Sequence, residues 1–528
     1  MSTTDSVSLP YEELAAAVES AGTAKGDLTD SLIATSTWTD EMLAEAGIPV
    51  VDVPVVSVGG GIGSFVLADY LRQAGMPAEH YKALGALDNP WDTYEYLTRC
   101  SQIPRPERLR SDSGSTPDNI WGFPSYATRE AMEAPGLVKK LDPLFNVATE
   151  PILTDYFTPR AGQVFKALEV EARRIGYDQM KAKGIVRMVR KRHGGGYFTI
   201  LTPAAGTTTT KRVAYRSTYV HVAVGYPGLR FLPDLQAYRT THQDFHRVVN
   251  AYEPHEHVYE ELAKKPGTVL VRGAGIVASR ILQRLCDERD KGSQIQVIHL
   301  FRTYVDGSHG PSMFLRRKGS HGWAFQGFNY PKSCWGGQYK HNLERWPDDK
   351  RNELWDNLGG TTTPHRKLWL NQLKKGRAEG WYREMVGTVD SVTPGADATV
   401  VSKVKTTQGV YDVAANYVID CTGLEADITE HRVLADLLEH SGAVRNAKGK
   451  LQVERHFEIT GTRSGVGKMY AVGSATLGSY FAVVDSFLGL QYAGMRIVDD
   501  LADEGFVPRI GIRRSISQWR RWVKKTAP

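Results

Sequence analysis

The feature that most limits what this chain can fold into is a strand, a glycine turn and a helix in immediate succession, met once at Gly59 and again at Gly273. Val51–Val58 is a β-branched run, VDVPVVSV, which breaks into Gly59-Gly60-Gly61-Ile62-Gly63. Leu67, Tyr70, Leu71 and Ala74 then recur at i, i+3, i+4 and i+7, the spacing of one helix face, and Gly75 ends the pattern. The second occurrence runs from Thr268–Arg272 through Gly273-Ala274-Gly275 to Ala278, Ile281, Leu282 and Leu285 at the same spacing, with Gln294–Phe301 as the next strand. Two such starts imply an α/β protein with two Rossmann-like dinucleotide-binding folds.

The chemistry of these turns follows from what a helix N-terminus leaves unpaired. Its first amides point outward and its dipole favours negative charge, so a pyrophosphate settles there if the backbone can approach closely. Gly59 and Gly61 take the first two positions of the G-x-G-x-x-G pattern, Gly63 adds a third glycine, and Ser64 stands where the last glycine is usual. The strand after the helix ends in Ala83-Leu84-Gly85, with no acid to receive a ribose, and Asp88 is the nearest candidate. In the second loop Gly273, Gly275 and Ala278 fill the pattern and Ser279 follows. The strand after it ends in His299-Leu300-Phe301-Arg302, and a guanidinium there suits a 2′-phosphate, favouring NADP(H) over NAD(H).

The 528 residues exceed one ordinary core. Sequence places an N-terminal extension at 1–48, a first, discontinuous dinucleotide domain at 49–250 and 400–508, a second at 251–399, and a basic tail at 509–528. The 65 basic and 59 acidic residues are interspersed and leave a net charge of +6, which does not mark a nucleic-acid binder. Cys100, Cys286, Cys334 and Cys421 are scattered, with no CxxC, which excludes a zinc ribbon and a vicinal redox pair and fits a reducing compartment. No stretch reads as a signal peptide or membrane span, so the expected location is the cytoplasm. The tail carries seven basic residues from Arg509 onward, with Ile512, Ile516, Trp519 and Val523 at helical spacing. That pattern suits a helix packed on its own domain, a contact with an anionic membrane surface, or a protein contact. Oligomeric state is left open.

Four further segments complete a pattern. Arg110-Ser111-Asp112 is followed by Trp121-Gly122-Phe123-Pro124; His221-Val222-Ala223-Val224-Gly225-Tyr226-Pro227 and Tyr417-Val418-Ile419-Asp420-Cys421-Thr422-Gly423 are two turns after strands; Tyr470-Ala471-Val472-Gly473-Ser474 lies near the end. Their order and spacing over about residues 50–505 resemble the flavin-containing, Baeyer–Villiger and N-hydroxylating monooxygenases. The resemblance implies FAD at the first loop, NADP(H) at the second, and flavin contacts at Arg110, Ser111, Asp112, Gly225, Thr422, Gly423, Gly473 and Ser474. It implies an FAD-dependent, NADPH-reducible oxidoreductase, a monooxygenase of a small organic substrate. A reductase or oxidase of the same fold, or a non-catalytic flavin-binding regulator, are the alternatives. The departures are Ser64, the missing ribose acid, Ser474 in place of aspartate, and a linker, Tyr238-Arg239-Thr240-Thr241-His242-Gln243-Asp244-Phe245, that keeps only the histidine of the monooxygenase fingerprint. The aromatic stretch Trp323–Trp346, with His309 and His321 nearby, reads either as a cap on a substrate pocket or as packing between the domains. No metal site and no catalytic residue is assigned.

Overall fold

A computed structural model describes residues 26–109, 125–149, 153–154, 157–226, 228–302, 304, 308–309, 317–318, 324–325, 338–357, 362–363, 367–424, 427–481 and 484–528. The segment Arg110-Ser111-Asp112, the run Trp121–Pro124, His321 and most of the aromatic stretch lie outside these residues.

The first sheet is built on Val55–Val58, whose four residues are all buried, as a strand covered on both faces must be. Tyr81–Gly85 pairs parallel on one side and Tyr219–Val222 on the other, with Lys468–Ala471 beyond it. Lys181–Arg192 joins Tyr81–Gly85 in parallel at its start and then runs on into an antiparallel meander with Tyr197–Pro203 and Val213–Ser217. The helix Ile62–Gln73 crosses over the sheet and packs against the long helix Phe487–Asp503. The helices meet closely because Gly494 faces Tyr70 and Val66, where a Cβ would come within 3.3 Å of the Tyr70 ring.

The second sheet has the order Tyr382–Val386, Ile295–Phe301, Gly267–Arg272, Tyr417–Asp420, Val248–Asn250, all parallel. Val269, Val271, Ile281, Leu285, Trp369 and Trp381 share the core on one of its faces. On the other, Leu270 and Val418 meet Val400, Val404 and Val413 from a three-stranded antiparallel sheet, Thr388–Pro394, Val400–Thr406 and Gly409–Ala415.

Strand pairing moves two of the boundaries drawn from sequence. Val248–Asn250 and residues 400–420 belong with the second sheet and its meander, not with the first domain. The segment read as an N-terminal extension is, from residue 26, part of the first domain. Thr37–Trp38 pairs with Lys191–Arg192, and Leu32, Trp38, Leu43 and Ile48 pack on Met188, Phe198 and Ile200 of the meander. The Trp38 indole donates to the Leu32 and Thr35 carbonyls at 3.0 and 2.9 Å, so its one polar group is satisfied inside that core.

Candidate functional site

At the end of Val55–Val58 the chain turns at Gly59, whose φ of +111° belongs to the region that glycine enters without penalty. A Cβ there would lie 2.3 Å from the Ala223 carbonyl oxygen, so the close approach itself demands glycine. The Gly59 amide donates to the Leu84 carbonyl at 2.8 Å and locks the turn to the next strand. Gly61 is the N-cap of the helix and no side chain caps its first amides. A Cβ on Gly61 would meet no protein atom nearer than 3.9 Å, in contrast to Gly59. Space before an uncapped helix N-terminus is what a dinucleotide pyrophosphate requires. Ser64 does not face this space: it is buried, and its hydroxyl donates back to the Gly59 carbonyl at 2.6 Å.

This turn opens on a cleft of about 690 Å³. Gly59–Gly63 forms its floor; Gly85–Leu87 and Gly184–Arg187 line one side, and Ala223–Tyr226, Val472–Ser474 and Asp485–Phe487 another. Ile276, Val277 and Leu424 reach it from the second domain. The strands' ends therefore supply the walls, as in open α/β sheets generally. Ser474 donates from its hydroxyl to the Gly225 carbonyl at 2.6 Å and ties together two of the segments that frame the cleft. Tyr226 donates to the Asp485 carboxylate at 2.5 Å; burial and that carboxylate push the phenol well above its ordinary range. His431 lines the cleft with its Nδ1 buried and unpartnered among the described residues, and burial pushes it down to about 4, so the ring is neutral near pH 7.

The second turn repeats the first. Gly273 has φ +113°, its amide donates to the Leu300 carbonyl at 3.0 Å, and a Cβ would lie 2.7 Å from the Cys421 carbonyl oxygen. Gly275 is the uncapped N-cap of the helix Ile276–Asp290, and Ala278 and Ser279 are buried in its first turns. His299 fixes this loop: its Nε2 donates to the Gly273 carbonyl at 2.7 Å, and its Nδ1 lies 2.9 Å from the Tyr382 hydroxyl. Burial holds His299 down to about 4, so the ring is neutral near pH 7. Arg302 stands exposed just beyond the strand end. Thr422 and Gly423 form the neighbouring turn, Gly423 at φ +121° and Thr422 donating through amide and hydroxyl to the Asp420 carboxylate at 3.0 and 2.6 Å.

Of the residues singled out from sequence, Gly59, Gly61, Gly63, Gly225, Gly473 and Ser474 come together on the cleft. Gly273, Gly275, Ala278, Ser279, Thr422, Gly423 and Arg302 gather instead around the second turn, outside the lining. Asp88 is in neither group: its exposed carboxylate pairs with Lys183, and its carbonyl accepts from Lys181 at 2.7 Å. No side chain could stand in place of the absent ribose acid at Gly85, because a Cβ there would lie 2.4 Å from the Gly60 nitrogen. Arg187, Glu430, His431 and Asp485 line the cleft without having been marked as site residues, because they come from segments with no glycine pattern, and Tyr226 lines it next to Gly225. In the degenerate linker Arg239 is buried, pairs with Glu253 at 3.0 Å and stacks on Phe231 and Phe245.

No family model matches the chain, and no curated protein matches it. Among solved structures it is similar to ornithine hydroxylase from Pseudomonas aeruginosa, at a TM-score of 0.58 and 15% identity over 86% of this chain and 99% of that one. It is likewise similar to ornithine N-hydroxylase from Kutzneria sp. 744, described with reduced FAD, NADP+ and L-ornithine, at 0.58 and 14% over 86% and 100%. The FAD-bound cadaverine monooxygenase of desferrioxamine biosynthesis from Erwinia amylovora matches at 0.59 and 14% over 87% and 96%. The chain thus has the fold of these two-dinucleotide flavoproteins, as the order of its motifs implied.

Proposed function

We propose that this protein is an FAD-dependent monooxygenase, reduced by NADPH, that acts on a small organic substrate. The observation that carries the reading is the pair of matched turns, each with an uncapped helix N-terminus, one of them opening on a cleft that the other domain's helix also reaches. The first turn fits FAD: the backbone of Gly59–Gly63 would hold the pyrophosphate, the Gly184–Val186 side one end of the cofactor, and the Gly225 and Gly473 turns the other. FAD, when bound, supplies the redox chemistry with oxygen. The protein's own part is to orient it, to bring the nicotinamide cofactor to it from the Gly273 turn, and to exclude water with apolar walls such as Leu87, Ile276, Val277, Phe487 and Leu490. Arg302, at the strand end beside the second turn, is the residue proposed to read the 2′-phosphate. The solved relatives' substrates, ornithine and cadaverine, are amines, and a small amine suits a cleft whose wall carries Glu430 and Asp485.

The test is aerobic turnover of purified, FAD-loaded protein with NADPH and a panel of amines, sulfides and ketones. The expected result is NADPH consumption matched by oxygenated product from one member of the panel. Consumption matched throughout by hydrogen peroxide would instead establish an oxidase, and no consumption would end the enzymatic reading.

A further inference from the structure

The chain closes with the helix Ile512–Val523, held to the body by one face only. Gln518 is buried, the Arg514 guanidinium lies over Gly75, and beyond the helix the Thr526 carbonyl accepts from Arg174 at 3.2 Å. Ile512, Ile516, Trp519 and Val523, at i, i+4, i+7 and i+11, form a separate stripe that the body leaves uncovered, from 45% exposed at Trp519 to 81% at Ile512. Arg513, Arg520 and Lys524 lie along one edge of that stripe on the helix wheel, all exposed, and no acidic residue occurs in 505–528. A second exposed apolar face lies one helix away. In the helix Leu137–Thr149, Leu137, Val138, Leu141 and Phe145 are 54–83% exposed. The preceding helix, Ser125–Glu133, touches the C-terminal helix where Arg129 sits 5.4 Å over the Trp522 ring.

We propose that the helix Ile512–Val523, together with the neighbouring face of Leu137–Thr149, docks this protein on an anionic phospholipid surface. The stripe supplies apolar side chains to enter the headgroup boundary, and the flanking cations meet lipid phosphates, the arrangement of helices that lie in a membrane interface. Charge selects lipid over a second copy of this chain. A second copy of this helix would bring no acid to answer Arg513, Arg520 and Lys524, whereas lipid phosphates would answer all three. Among the described residues no helix is long and apolar enough to cross a membrane, so the contact is with the surface.

The intact protein is floated with vesicles of phosphatidylcholine alone and of phosphatidylcholine with phosphatidylglycerol. It should rise with the anionic vesicles at about 0.1 M salt, and this binding should weaken at least tenfold near 1 M, where the screening length falls from about 10 to about 3 Å. Arg520→Glu/Lys524→Glu should lower partitioning about tenfold or more, and Ile516→Asp/Trp519→Asp should abolish it, with unchanged circular dichroism in both. Absence of binding to anionic vesicles at low salt would overturn the proposal. So would unchanged binding in both variants, or a concentration-dependent dimer that Ile516→Asp/Trp519→Asp dissolves, which would make the stripe an interface between copies.

Discussion

The turns at Gly59 and Gly273 are built alike where the backbone is concerned and differently where side chains are. In both, a glycine at φ near +112° gives its amide to the next strand and lies against the carbonyl of a third: Leu84 and Ala223 in one case, Leu300 and Cys421 in the other. Both helices begin uncapped. Around the first turn the second strand ends in Gly85 packed on Gly60, leaving no place for a polar side chain; around the second it ends in His299, which holds the loop carbonyl, and Arg302, which stands free of the core. The backbone geometry is thus common to both turns, and what distinguishes them lies in the residues at and beyond the ends of the second strands.

The comparison can be broken most severely at the glycines themselves. Valine at Gly59 or Gly273 meets backbone strain of about 1–3 kcal/mol and then a carbonyl oxygen inside contact distance. Gly59→Val should lower the thermal midpoint sharply and leave no FAD-binding fraction. Gly273→Val should spare flavin binding and remove reduction by NADPH. If Gly273→Val lost both functions while remaining folded, the turns would not be separate sites.

Acid should reach both regions through their histidines. His221, which makes a 2.7 Å hydrogen bond through Nδ1 with Ser57, is held down to about 3 by burial, and His299 to about 4. Their unfolded values lie near 6.5, so the unfolded chain takes up more protons, and stability is full above that pH and lost as pH falls from about 6.5 toward 4. His299→Gln can still donate to the Gly273 carbonyl; it should flatten part of this loss in chemical denaturation run across that range. An unchanged pH dependence would mean that His299 does not titrate on unfolding.

Arg302→Ala should remove a charge-assisted contact of about 1.5–3 kcal/mol and raise KM for NADPH about tenfold or more, leaving NADH nearly unchanged. Equal effects on both coenzymes would place the selector elsewhere. The smallest effect is expected at Ser64→Ala, which makes the first turn like the second at its third position. Loss of the 2.6 Å hydrogen bond to Gly59 should cost about 1 kcal/mol and shift the midpoint by a few degrees, without loss of flavin.

What could be read in advance follows the same division. The strand–glycine–helix units were legible because local spacing dictates them. The boundary between the domains was not legible. Val248–Asn250 is three residues long, and the meander of 388–415 alternates like any antiparallel sheet, so neither carries a mark of the sheet it joins. Asp88 was reached by counting along the chain toward a ribose acid, whereas the close contact of Gly85 with Gly60 sends the chain past the cleft with Leu87 facing it and Asp88 turned to Lys183. Asp485, which accepts from Tyr226, and His431 meet the cleft only through contacts between segments distant in the chain, which no local spacing encodes.

The central claim, that the first turn holds FAD and the second delivers electrons to it from a nicotinamide cofactor, is tested most directly by anaerobic titration of the FAD-loaded protein with NADPH, following the oxidised-flavin absorbance. The account expects one equivalent of NADPH per flavin to bleach the band, and expects Gly61→Val, at a position where a Cβ meets no protein atom nearer than 3.9 Å, to fold normally yet carry no flavin to bleach. A band that dithionite removes but NADPH leaves intact, or a Gly61→Val protein that retains its flavin in full, would contradict it.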